Sequence, residues 1–180
     1  MNEIIPLGNT RSILLLSLLI ILFAACSPSS HRAIVVEPFQ TQKLADFSTL
    51  EIPYLKTTLS DELDQEILQE IPTELIKKLT EERLYKRITR KTNDTEGVLL
   101  MEGTVISYEK GNRAKRYILG EGAGKAFCTV QFIFKSKATG QMIAKINFEG
   151  ELSQGFLGGS SEEAARAVVS AIVAYFKQNY

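Results

Sequence analysis

The sequence predicts an α+β domain: an antiparallel sheet of about four strands, with a long N-terminal helix and a C-terminal alanine-rich helix packed on one face. Three observations predict it. Segments 98–108, 126–135 and 142–152 are long runs in which apolar and polar residues alternate with period two, as in a sheet with one buried face. Between residues 60 and 83, Leu63, Ile67, Ile71, Leu75 and Leu79 recur every fourth position, as on one side of a helix. From about 161 to 177, Ala165, Val168, Val169, Ile172, Val173 and Phe176 draw a second helical stripe, with Ala164, Ala167, Ala171 and Ala174 keeping that helix slim.

Ahead of the domain lie residues 11–27, RSILLLSLLIILFAACS. The apolar run from Ile13 to Ala25 is too short for a spanning helix, which needs ~20 residues, and fits the ~7–15-residue core of a signal peptide. In the lipoprotein motif, residues as small as Ala24 and Ala25 let the backbone enter the signal peptidase cleft, and the thiol of Cys26 receives the diacylglycerol. Phe23 stands where this lipoprotein motif usually has leucine, and Glu3 offsets Arg11. The expected organisation is a signal peptide over 1–25, a lipidated Cys26 with a short tether over 26–32, and one domain over 33–180. Each buried acyl methylene contributes ~0.8 kcal/mol, so two or three chains hold a protein where one does not. Ser27 after the cysteine is similar to outer-membrane lipoproteins of Gram-negative cells, which implies an outer-membrane location facing the periplasm.

The remaining elements follow in order. Ala33 to Val36 is a β-branched run closed by Pro38, a first strand. Segment 40–56 is a short strand or an irregular loop. The helix over 60–83 is capped by Thr58 or Ser60 and has Asp61, Glu62 and Asp64 at the positive end of its dipole. Pro72 kinks it or divides it in two. Segment 83–94 holds a brief strand and a turn. Lys137 to Gly140 is a tight hairpin connection. Ser160 and Glu163 form a capping box for the last helix.

Composition excludes several classes. Twenty-one cations balance 21 acids, so the chain lacks the clustered positive charge that nucleic acid demands. His31 is the sole histidine and falls in the tether, so no Ser-His-Asp or Cys-His set can be built. Nothing has the spacing of a zinc or iron site, and no cofactor is expected. With Cys26 lipidated, Cys128 is left without a disulfide partner, in a strand-like run that buries it. Gly124-Lys125 fails as a phosphate loop, because Leu119 and Ala126 stand where glycine and a hydroxyl residue belong.

Two glycine-rich stretches stand apart: residues 111–125, GNRAKRYILGEGAGK, and 153–160, SQGFLGGS. If the three long strands form a meander, both stretches leave the sheet at one end, opposite the tight hairpin. That end would carry Asn112, Arg113, Lys115, Arg116, Tyr117, Phe156 and Leu157. Cations beside aromatics make a contact surface for a glycan, a lipid headgroup or an envelope protein. The alternative is that the glycines serve tight turns and close packing.

These stretches, with the strands between them and GFLGGSSEEAARAVVSAIVAYF after them, resemble the bacterial lipoprotein family known as domain of unknown function 4410. The resemblance implies an exported, lipid-anchored protein and no particular chemistry. By element order the chain is also similar to small α+β domains of envelope-assembly lipoproteins, such as curli-secretion and peptidoglycan-synthase activators. The expected function is therefore a non-catalytic binding or assembly module, attached to the membrane through acyl chains on Cys26. The alternatives are a small-ligand or glycan carrier, or a glycan hydrolase using carboxylates such as Glu149 and Glu151.

Overall fold

A computed structural model describes residues 30–39, 42–59, 65–109, 127–151 and 161–180. The elements run β1 (Ser30–Glu37), a 3-10 turn (Leu44–Asp46), β2 (Thr49–Glu51), β3 (Lys56–Thr57), α1 (Gln65–Glu82), β4 (Arg87–Thr89), β5 (Val98–Glu109), β6 (Phe127–Ser136), β7 (Met142–Glu151) and α2 (Ser161–Asn179). All strands join one seven-stranded sheet in the order β1-β7-β6-β5-β2-β4, with β3 pairing β5 further along. β5, β6 and β7 form the expected antiparallel meander, and β1 adds antiparallel to β7. β2 and β3 lie parallel to β5, and β4 lies parallel to β2.

This corrects the expected fold class. The sheet is mixed and seven-stranded, not antiparallel with about four strands, and the long helix is not N-terminal but follows three strands. The physical reason is strand length. β2 and β4 are three residues each and β3 is two, too short to display an alternation. All three residues of β2 are also buried, as befits a parallel strand between neighbours, so its two faces do not contrast.

β2, α1 and β4 make a β-α-β crossover that returns the chain beside β2. Pro72 sits inside α1, and the helix neither divides nor restarts there. Proline leaves the carbonyl four residues earlier without its usual donor. That carbonyl belongs to Leu68, and the backbone N–H of Leu55 donates to it at 3.1 Å. The chain segment after β2 thus supplies the hydrogen bond that Pro72 cannot.

α1 packs on α2 and β4, while α2 packs on β7, β1 and β6. Ile67, Ile71, Leu75 and Leu79 of α1 are buried against the core, as are Ala165, Val168, Val169, Ile172 and Phe176 of α2. From the sheet come Cys128, Val130, Phe132 and Phe134 of β6 with Ala144, Ile146 and Phe148 of β7, the faces that period two predicts. The rings interlock edge to face, Phe132 with Phe148 and Phe148 with Tyr175.

α2 comes down onto the sheet at Gly150. A Cβ there would lie 2.5 Å from the Ala164 carbonyl oxygen and 2.6 Å from the Val168 nitrogen, both backbone atoms that cannot turn aside. Gly150→Ala is therefore expected to destabilise the fold by about 1–3 kcal/mol through overpacking. Urea denaturation should show a lowered midpoint at unchanged slope.

Candidate functional site

The end of the sheet where the glycine-rich stretches depart is built from four neighbouring strands. Glu109 of β5 pairs with Phe127 of β6, Phe127 with Glu151 of β7, and Glu151 with Ser30 of β1. These four residues form one row. At about 4.8 Å per strand the row is ~14 Å wide. The chain over 110–126 leaves and re-enters at Glu109 and Phe127, and the chain after Glu151 leads through 152–160 to α2. Asn112, Arg113, Lys115, Arg116, Tyr117, Phe156 and Leu157 themselves lie outside the described residues, as does Cys26.

β1 adds what the sequence reading lacked. Ser30 to Arg32, expected in the tether, are strand residues. Three residues, Ser27 to Ser29, now separate Cys26 from the sheet and reach at most ~14 Å. The segment that follows Cys26 therefore enters the fold in the same row from which both glycine-rich stretches leave. Its signal in the sequence is the run Ala33 to Val36, but period and length cannot reveal that this strand pairs with β7.

Behind the row, His31 lies opposite Gly150, and Gly150 opposite Cys128. Cys128 is fully buried, and burial pushes its thiol up to about 12. It stays protonated, and so unreactive, across ordinary pH. Glu149 accepts a 2.5 Å hydrogen bond from Arg32 Nε and has Thr129 as its β6 neighbour. Its cross-strand partners are a cation and a hydroxyl, not a second carboxylate.

The opposite end of the sheet holds a polar knot. Glu51, 6% exposed, accepts from Lys137 Nζ at 2.5 Å and from the Thr92 backbone N–H at 3.1 Å. Lys137 also donates to the Thr92 carbonyl. Beside it Arg87 donates to Thr92 and to Asp94, and the hydrogen bonds that Asp94 accepts from Arg87 and from the Thr92 hydroxyl hold its carboxyl below the usual range. The polar groups named here engage one another, which suits a clamp between β2, the β4–β5 connection and the β6–β7 hairpin. Arg90 stacks over the Tyr54 ring at 4.3 Å nearby. A surface groove of about 380 Å³ separates α1 and α2, floored by Val169, Val173 and Ala174 and flanked by Glu74, Lys78 and Lys177. Among the described residues, no group of three or more His, Cys, Asp or Glu is placed to hold a metal, and no helix is long and apolar enough to cross a membrane.

Two outcomes follow from this geometry. Iodoacetamide at pH 8 should leave Cys128 unmodified in the folded protein and label it in urea, as read by peptide mass. Lys137→Met should leave the buried Glu51 carboxylate without its cation; with the pair partly solvated, a loss of about 1–3 kcal/mol is expected in urea denaturation.

Comparison with known proteins places the fold. The chain is similar to a PelC dodecamer from Paraburkholderia phytofirmans, a point variant crystallised in space group C2, at 10% identity and a TM-score of 0.53, covering 80% of this chain and 95% of that one. It is also similar to protein XCC0632 from Xanthomonas campestris, of the family DUF330, at 8% identity and a TM-score of 0.51, covering 82% and 90%. At such identities the likeness is one of fold alone. No curated protein matches the chain. A family model matches residues 34–155, and the chain belongs to that family, the domain of unknown function DUF4410.

Proposed function

We propose that this protein is a lipid-anchored lipoprotein of the outer membrane, facing the periplasm, whose body acts by binding and assembly without catalysis. The observation that carries this reading is the single row formed by Ser30, Glu151, Phe127 and Glu109. Cys26 precedes that row by a few residues, and both glycine-rich stretches begin from it. An acylated Cys26 would hold this end of the sheet against the membrane surface. Arg113, Lys115, Arg116 and Tyr117, with Phe156 and Leu157, would then meet whatever lies there, an envelope protein or a glycan. Assembly is supported by the likeness to PelC, whose solved structure is a dodecamer. The apolar floor of the α1–α2 groove favours the second reading, a carrier for a small apolar ligand.

The test has two arms. Palmitate labelling and membrane fractionation of the native chain should give a labelled, membrane-bound protein, and Cys26→Ala should abolish both. Unlabelled protein in the soluble fraction would overturn the anchor. Affinity capture from membranes with the Arg113→Ala/Arg116→Ala variant should lose partners that the unaltered chain retains. Equal recovery would remove the loop end as the binding surface.

A further inference from the structure

Among the described residues the two-residue β3 is a short edge beside β5, and the sheet itself ends on β1 and β4. They are unlike. β4 is three residues long, whereas β1 is eight and carries Ile34, Val35 and Val36 at 38%, 45% and 47% exposure. A long edge with a run of exposed aliphatics leaves backbone groups and apolar surface open to another strand. We infer that the β1 edge of one copy joins the β4 edge of a second copy of this chain, extending the sheet from subunit to subunit.

Three features carry this. The first is direction. From β1 to β5 the sheet reverses three times, and β5, β2 and β4 then run the same way, so β1 and β4 point oppositely. Copies in one orientation, slid along the strands until the edges meet, therefore pair them antiparallel, the more stable arrangement. The second is charge. Glu37 pairs with Lys145 beyond a bulge at Val36, and Lys145 neighbours Ile133, opposite Glu102; Arg87 pairs with Thr49, opposite Val98, so the two stand four residues apart along the strands and the copies meet after a slide of about 13 Å. Setting Glu37 opposite the exposed Arg87 of the next copy matches acid to base, and it leaves Val35 and Val36 near Ile88, a half-buried core neighbour. Arg87 already holds Asp94 and Thr92, and its guanidinium has further donors to offer. The third is orientation, which rests on the anchored reading above. Such copies keep every Ser30 at the same end, and strands tilted to absorb the slide let each lipidated Cys26 meet the same bilayer. Pairing β1 with its own copy in antiparallel fashion would send the two anchors to opposite ends. The contact uses two different patches, so its repetition closes a ring or runs on as a filament.

The test uses the full chain in native membranes with paired cysteines. Glu37→Cys/Arg87→Cys should give a ladder of crosslinked species under mild oxidation, while each single variant and the unaltered chain give none. A crosslinked dimer from Glu37→Cys alone, or no ladder from the double variant, would overturn the inference. Charge reversal guards against a misfolded variant. Glu37→Arg should reduce the mass found by native mass spectrometry in detergent to that of one chain, and adding Arg87→Glu should restore the larger species. Failure of restoration with both variants folded would also overturn it. Fractionation of the same samples keeps the two readings apart: a ladder in soluble protein would leave the edge contact standing and remove the anchor.

Discussion

The fold depends on a strand of three residues. Thr49, Leu50 and Glu51 hydrogen-bond to β4 on one side and to β5 on the other, so the crossover unit and the meander meet at β2. So short a strand cannot hold two halves together by its ladder alone. Its side chains complete the joint: Leu50 is fully buried in the core, and Glu51 reaches Lys137 and Thr92 in the polar knot. The buried charge thereby ties β2 to the hairpin across the sheet. At the strand's start, Gly97, with a φ of 64°, turns its carbonyl to accept from both Ser48 and Thr49.

The helical layer is fitted to this sheet by absence of bulk. Gly150 removes a side chain where α2 crosses β7, and Gly103 does the same where Leu55 and Phe132 crowd β5. Leu55 is thus used twice. Its side chain packs over Gly103 and its N–H supplies the carbonyl that Pro72 leaves open. One residue in an irregular stretch therefore fixes both the depth and the height of α1 against the sheet.

Much of this is legible in the sequence, for physical reasons that can be named. β5, β6 and β7 are ten residues or more with one buried face, so their alternation is clear and their ends fall within a residue or two of expectation. α2 is equally plain from its stripe. What escapes is pairing. β2 and β4 are too brief for any period, and nothing local says that β1 should cross the whole chain to lie beside β7. Pro72 looks like a break because the donor that replaces its N–H comes from Leu55, which helix periodicity cannot see. The loop residues proposed for binding, and Cys26, rest on composition and motif, and they fall outside the described residues.

The pairing of β1 with β7 sets a timetable. Made N-terminus first, the chain delivers Ala33 to Val35 early, yet the strand that pairs with them lies more than a hundred residues later. Until then the segment has no native mate, because contacts so remote in sequence form late. An apolar, β-prone stretch left unpaired in the meantime is an aggregation hazard. The first strand can settle only once β7 has been made.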